Sequence, residues 1–361
     1  MARLEEVCEI LDSKRVPITA ANRTPGPFPY YGANGVQDYV AEYIFDDELV
    51  LVAEDGGYFG SKDRPIAYRV SGKCWVNNHA HVLKPKAMID VDYLCYSLMY
   101  RDVSDIVNGA TRQKLTQADL RKIEIDVPTP QHQEKIVAQL DEVFSLISLR
   151  KQQLAKLDEL VKSRFVEMFG ERFSTNRIKV EEIADSTIGL TYKPENTSDT
   201  GTIVLRSGNI QNSELTLADD VVRVSGMKIP DSKYVHPGDI LMCSRNGSAN
   251  LVGKCCRIPE VCEEMAFGAF MTVIRSKYPA FLFGFFQSHY FKEQLTNVGT
   301  TSINQITTKM LNGYKTIEPT KDEEKRFATL LAQIDKSKFA VQQSIEKLET
   351  LKKSLMQQYF G

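Results

Sequence analysis

The sequence predicts an α+β fold: two strand-rich α/β domains separated by two long helices that pair as an antiparallel coiled coil, with a pseudo-two-fold internal repeat. Three observations predict it. Residues 128–170 recur, without a gap, as residues 319–361. Both copies carry apolar residues at heptad spacing and have no internal glycine or proline beyond the first turn. The stretches before them alternate short apolar runs with Gly, Asn and Asp turns, as strands joined by loops do.

The repeat fixes four segments: a first domain at 1–127, a first spacer helix at 128–170, a second domain at 171–318 and a second spacer helix at 319–361. Pro128 falls on Pro319, Leu140 on Leu331, Leu157 on Leu348, Lys162-Ser163 on Lys353-Ser354, and Phe169-Gly170 on Phe360-Gly361. The same offset carries Leu115-Thr116 onto Ile306-Thr307 and Leu120 onto Leu311, then drifts as loops of unequal length would make it. In the domains, Glu48–Ala53, Ile203–Leu205 and Asp239–Met242 read as strands. Helices are expected near 91–107 and 279–296, each followed by a glycine, Gly109 and Gly299.

Each spacer starts on Pro and Thr, and Gly170 is placed to close the first as a left-handed cap. One row of the first helix is clean (Leu140, Ile147, Leu154, Val161, Met168), and its companion is broken by Arg150 and Arg164. In the second the clean row is Ile334, Val341, Leu348, Leu355, and Lys338 and Lys352 break the other. The swap suits packing of the two copies on each other, basic stems along the seam and charges in water. At 1.5 Å per residue each helix is about 60 Å long, more than a domain helix needs.

Composition is that of an ordinary globular chain: 361 residues, 42% hydrophobic, 25% charged, formal net charge -2. Any nucleic-acid surface is therefore a local patch offset by acid elsewhere. No apolar run approaches the ~20 residues of a membrane span. Met1-Ala2-Arg3-Leu4-Glu5-Glu6 has acid where a secretory signal has its apolar stretch, so an intracellular, cytoplasmic location is expected. Seven cysteines at irregular spacing, with no C-x-x-C pair, are expected reduced and mostly buried.

Catalytic signatures are missing. There is no phosphate loop, no nucleophile elbow and no (Asn/Asp)-Pro-Pro-aromatic tetrapeptide. His79-x-His81 is the only close histidine pair, and it reads as structural or base-contacting rather than as a metal site. The chain is expected to carry no catalytic residues, metal or cofactor of its own.

Residues suited to DNA cluster instead, since base edges and phosphates are both gripped by Arg, Lys, Asn, Gln, Ser and Thr. In the first domain the candidates are Tyr30, Tyr31 and Asn34 in a Gly-rich turn, Lys62, the run Asn77, Asn78, His79, and Thr111, Arg112, Gln113, Lys114. In the second they are Arg206 and Asn209, Ser244, Arg245 and Asn246, Thr300, Thr301 and Ser302, and Asn304 with Gln305. Taken singly each reads equally well as a solvated loop. Their recurrence at similar places in both copies, with different side chains, is what two unlike half-sites require.

With the duplicated Pro-Thr…Phe-Gly helices in place, the chain resembles the specificity subunits of type I restriction-modification systems. Pro29–Gly35 with Leu51–Gly56, and Val235–Leu241 with Arg245 and Gly247, resemble recurrent elements of that family's recognition domains. The resemblance implies target-recognition domains that each read one block of a split double-stranded DNA target, and helices that fix the gap. It also implies two methyltransferase subunits using S-adenosylmethionine and ATP-dependent restriction subunits as partners. One departure is the short stretch before Leu4, which leaves little chain to close a ring beside the second helix. Two other classes stay open on the sequence alone: a self-contained DNA-acting enzyme, such as a nuclease, with helical dimerisation arms, and a coiled-coil scaffold with no nucleic-acid role.

Overall fold

The computed structural model describes the chain except residues 110–112, 176, 219–220, 260–262 and 297–303. It forms two compact units. Unit 1 comprises Met1–Lys151 and Gln343–Gly361, and unit 2 comprises Gln152–Gln342.

Unit 1 is built on a six-stranded sheet. Its strands are β1 (Cys8–Ile10), β2 (Pro25–Gly32), β3 (Gly35–Val40), β4 (Phe45–Ala53), β5 (Ala67–Val76) and β6 (Ala80–Pro85), in the order β1-β6-β4-β5-β2-β3. All pairings are antiparallel except β2 with β5, where Tyr31 lies opposite Val76. The apolar run in β4 is buried on both faces, from Leu49 to Ala53, as a central strand should be. Helix α1 (Val91–Met99) packs on the sheet, started by Asp90, whose carboxylate accepts from Asp92 N and Tyr93 N at 2.9 Å. It stops eight residues short of the expected end at 107, because Asp102 turns the chain by accepting from Ser104 N and Oγ.

The first long helix is α2 (Pro130–Phe169); the proline in its first turn is Pro130, and Pro128 and Thr129 lie just before it. Gly170 does not close it as a left-handed cap. It has no positive φ, and the chain tightens into a 3-10 turn, Gly170–Ser174. The glycine is needed for a different reason: a Cβ there would press on the Tyr290 hydroxyl, 2.9 Å away, which donates to the Gly170 carbonyl.

Unit 2 has two four-stranded sheets. The first holds β7 (Ala184–Ile188), β11 (Ile240–Cys243), β12 (Cys255–Arg257) and β14 (Met271–Ser276), in the order β7-β14-β11-β12. The second holds β8 (Thr197–Ser198), β9 (Thr202–Leu205), β10 (Val222–Val224) and β13 (Met265–Phe267), in the order β8-β10-β9-β13. The Val235–Leu241 element is a turn into β11: Gly238 has a φ of 86°, and Asp239 accepts from His236 N and from Arg275. Helix α3 (Pro279–Gln287) is broken from the next helix, His289–Thr296, at Ser288, whose hydroxyl donates to the Phe285 carbonyl. The stretch 279–296 is thus two helices rather than one. The second long helix, α4 (Lys321–Phe360), begins with a capping box in which Thr320 N donates to Glu323 and Glu323 N to Thr320 Oγ1.

Each long helix contributes one half to each unit. In unit 1, Ile136 and Leu140 near the start of α2 share a core with Leu355, Met356, Tyr359 and Phe360 at the end of α4, and with α1. In unit 2, Phe165 and Phe169 at the end of α2 share a core with Phe327, Leu331 and Ile334 near the start of α4, and with α3. Within unit 1, Gln139 pairs with Tyr359 and Lys151 with Glu349, so the helix halves run antiparallel. The basic residues of the seam do not all reach water. Lys338 is 8% exposed and its ammonium meets Asp158 and, at 3.7 Å, Glu214; Lys352 is buried and pairs with Glu349. An ammonium kept from water needs a carboxylate near it.

Among the described residues, no helix is long and apolar enough to cross a membrane. Six described cysteines are buried and free of disulfides, while Cys262 lies outside the described residues.

Candidate nucleic-acid interface: two equivalent clefts

In unit 1 a cleft of about 530 Å³ opens where three chain segments end together: β2, β4, and the turn from β5 to β6. Its walls include Arg23, Asn34, Gln37, Asp55, Asn78 and His79. Main-chain bonds fix the frame. Asn77 N donates to Tyr31 O at 3.0 Å, Glu54 N to His79 O at 2.9 Å, and Leu115 N to Glu54 O at 2.8 Å. Asp55 bridges Lys114 at the margin. The His79 ring holds Asp55, with Nδ1 at 2.9 and 3.0 Å from the two carboxylate oxygens.

Unit 2 has a cleft of about 460 Å³ walled by Tyr192, Arg206, Ser207, Ala269 and Phe270. Its frame uses the same bonds. Gly268 N donates to Leu205 O at 2.9 Å, Ser244 N to Phe270 O at 2.9 Å, and Ile306 N to Ser244 O at 2.7 Å, and Arg245 bridges Gln305. Tyr31 beside Val76 in one unit matches Leu205 beside Phe267 in the other, both in parallel pairs. Asp55 therefore corresponds to Arg245, His79 to Phe270 and Lys114 to Gln305. A close approach sets the far wall: any Cβ on Gly189 would collide with the Gly268 carbonyl, and Leu190 N bonds Phe267 O at 2.6 Å.

Of the sequence candidates, the first cleft gathers Asn34, Asn78 and His79, with Tyr31 and Lys114 on its frame. Of the second set, Arg206 lines the second cleft; Ser244, Arg245, Asn246, Asn304 and Gln305 lie on the chain segments that frame it, where Asn246 N donates to Asn304 O at 3.2 Å and Asn246 Nδ2 to Ser207 Oγ at 3.2 Å. Four candidates are buried with their polar atoms engaged. Tyr30 is 1% exposed and exchanges bonds with Ile18 through its hydroxyl. Asn77 holds His79 N and Gln37, and Asn209 holds Arg206 N and Thr216 O. Ser244 is also buried, bonding Phe270 O through its hydroxyl. Lys62 lies elsewhere, with Asp63, Tyr100 and Lys353. Gln113 is exposed. Thr111, Arg112, Thr300, Thr301 and Ser302 lie outside the described residues.

Sequence reasoning missed Asp55 and Phe270. Asp55 sits between apolar β4 and a glycine pair, and Phe270 in an apolar stretch. Asp55 lay within the Leu51–Gly56 stretch without being singled out, Phe270 carries no local signal, and only the pairing of distant strands brings them to the clefts.

Below the first cleft is a buried ionic cluster. His81 joins Asp12 (Nδ1 to Oδ2, 2.6 Å) and Leu115 O (Nε2, 2.9 Å), and Glu54 pairs with Arg15 and with Lys114 at 2.8 Å. Burial pushes the Asp12 carboxyl up, but bonds from His81, Val82 N and Gln117 outweigh it and hold the group below the usual range. Glu54 is likewise held low: Lys114 and Arg15 overcome the cost of burial. Among the described residues, Asp12, Glu54 and His81 are the one set spaced to hold a metal ion. With Arg15 and Lys114 already on Glu54 and Gln117 on Asp12, the donor set fits a latch between segments better than a cation.

Residues 1–159 match the family model of the type I restriction modification DNA specificity domain. A putative type I restriction enzyme specificity subunit of Haemophilus influenzae is 39% identical over 145 residues, which are 40% of this chain and 37% of that protein. The StySPI specificity subunit of Salmonella potsdam is 28% identical over 182 residues, 46% of this chain and 38% of its own length. The matches thus span well under half of these relatives. A crystal structure of the type I S subunit from M. genitalium shares the fold over 99% of this chain and 95% of its own, with a TM-score of 0.54 and 14% identity. The chain is thus similar to the specificity subunits of type I restriction-modification systems, and its residues 1–159 match the model of their DNA specificity domain.

Proposed function

We propose that this chain reads a split double-stranded DNA target, one block with each cleft, and performs no chemistry itself. One observation carries the reading: the same backbone frame is built twice and lined with different polar side chains. A duplicated scaffold with divergent walls suits two unlike half-sites, whereas a catalytic site has no need of a second, altered copy.

In this reading 1–127 and 171–318 are the recognition domains, and 128–170 and 319–361 are spacers paired as an antiparallel coiled coil. The antiparallel pairs Gln139–Tyr359 and Lys151–Glu349 support it, as do the heptad rows. Readers on one face of B-DNA want half-sites about one turn apart, roughly 34 Å, and helices of about 60 Å are long enough to set that spacing. The chain then presents DNA to two methyltransferase subunits using S-adenosylmethionine, joined by ATP-dependent restriction subunits, in the cytoplasm.

The test is binding of the purified chain to duplex DNA across a salt series. Sequence-dependent binding whose logarithm falls linearly with log salt is expected; binding indifferent to salt would leave a scaffold without a nucleic-acid role. Metal-dependent cutting of DNA by the chain alone would replace this reading with the nuclease.

A further inference from the structure

Gln37 lines the first cleft, and three local features order its side chain there. The first is a bulge. In the pairing of β2 with β3, Tyr30 lies opposite Asp38 and Tyr31 opposite Val36, so Gln37 is an extra residue with no partner across the strand pair. Such an insertion takes a side chain out of the regular alternation of its strand, and bulges gather beside functional sites for that reason. The second is a missing side chain. A Cβ on Gly32 would lie 2.2 Å from Gln37 Nε2 and 2.4 Å from its Cδ. The carboxamide thus lies against the Gly32 backbone, in space that any larger residue would claim.

The third is Asn77, which is 2% exposed. His79 N donates to Asn77 Oδ1 at 2.8 Å. A main-chain N–H can only donate, so the oxygen of Asn77 must face it, and Nδ2 is left as the donor on the other side. That donor meets Gln37 Oε1 at 3.1 Å. One backbone N–H therefore sets which way round two successive amides sit. Gln37 itself is exposed, and among the described residues its Nε2 has no hydrogen-bond partner. Its oxygen keeps a second lone pair.

An exposed glutamine ordinarily samples many rotamers, and a ligand that grips it must overcome that freedom. Here the bulge, the glycine and Asn77 have ordered the amide beforehand. A planar group that offers a donor beside an acceptor matches the edge of adenine, with Nε2 donating to N7 and Oε1 accepting from the N6 amino group. Resting on the DNA-reading function above, we propose that Gln37 is a specificity-determining residue that reads an adenine in the block held by unit 1. Asn77 is its positioning residue, setting the orientation of the amide without touching the base.

The experiment starts with selection of bound sequences from a randomised duplex library by the full chain. Each adenine of the selected sequence is then replaced in turn by 7-deazaadenine, which lacks the N7 acceptor. Wild type should lose binding at one adenine, roughly 5-fold for one hydrogen bond. Gln37→Ala should lose its discrimination for adenine at that position, roughly 5- to 150-fold in wild type, and be indifferent to the analogue there. Gln37→Glu keeps acceptors but loses the donor, so its preference should move to cytosine. Asn77→Asp still accepts from His79 N but faces Gln37 with an acceptor. The amide then turns over, and the penalty of the analogue at that adenine should shrink. Far-UV circular dichroism checks the fold of each variant. No adenine sensitive to the analogue, a penalty that Gln37→Ala retains, or equal weakening of Gln37→Ala on every sequence would each overturn the assignment and leave DNA reading intact. A wild-type chain that selects no sequence would overturn the reading function, and this assignment with it.

Discussion

Glu324 and Gln133 hold the same place in the repeat, the fourth residue of α4 and of α2, and each receives the start of the domain helix beside it. Glu324 accepts from Ala280 N and Phe281 N, both at 2.8 Å, at the start of α3. Gln133 accepts from Asp90 N at 2.7 Å, just before α1, and donates to Met88 O and Pro128 O. Glu324→Ala strips two charge-assisted bonds worth roughly 1.5–3 kcal/mol each; with the carboxylate's burial cost recovered, we expect a net loss of about 2 kcal/mol at neutral pH. Glu324→Gln keeps an acceptor and should lie within about 1 kcal/mol of wild type. The pH dependence separates the two causes. Burial raises the Glu324 carboxyl above its ordinary range, and the bonds from Phe281 N and Ala280 N, with Arg257, only partly offset this. The folded chain therefore holds this proton longer than the unfolded chain. The group's contribution is fully present below the usual glutamate value of about 4.3 and is lost as pH rises through the higher folded value. Urea unfolding followed by far-UV circular dichroism should show Glu324→Gln gaining on wild type between about pH 4 and 7. A gap that stays flat across that range would refute the reasoning.

Other expectations follow from features described above. Lys338→Met should be neutral or stabilising by up to about 1 kcal/mol in urea unfolding, since Asp158 and Glu214 are partly open to water and lose little when freed; a loss beyond 2 kcal/mol would show that the buried ammonium is needed. Asp12→Asn should cost roughly 1–3 kcal/mol at neutral pH. Because Asp12 is held below its usual value, its contribution is present above the unfolded value of about 3.9 and fades as pH falls through the folded one, so the gap from wild type should close in acid. The single tryptophan, Trp75, lies in unit 1 and reports this by fluorescence. Burial pushes the thiols of Cys8, Cys74, Cys95 and Cys256 up to about 12, and raises Cys243 and Cys255 as well. All six should resist alkylation in the native protein and react in denaturant; rapid native labelling of any of them, read by mass spectrometry, would contradict its burial.

What the residues disclosed, and what they did not, divides along a physical line. The long helices were legible because a helix writes its packing into the sequence at fixed spacing, so buried Leu140, Ile147, Leu331 and Ile334 recur where heptads put them. The polar loops were legible as stretches, and Asn34, Asn78, His79 and Arg206 line the clefts. Their equivalence was not legible, because main-chain hydrogen bonds make Asp55 match Arg245 and His79 match Phe270, and such bonds are indifferent to side chain. Helix ends were misjudged where short-range bonds act, as at Asp102 and Ser288. Gly170 looked like a cap because glycine allows a left-handed turn, whereas its small size is what Tyr290 requires.

The division of the long helices has a consequence for the order in which the protein can form. Unit 2 is one continuous run, Gln152–Gln342, and a ribosome delivers all of it before the last pieces of unit 1. Leu355, Met356, Tyr359 and Phe360, which close the core of the first domain, are made after every residue of the second. The domain synthesised first is thus the one completed last. Until then the apolar surface of α1 and Ile136 waits for its cover, and a nascent chain halted near residue 342 would hold all of unit 2 and an incomplete unit 1.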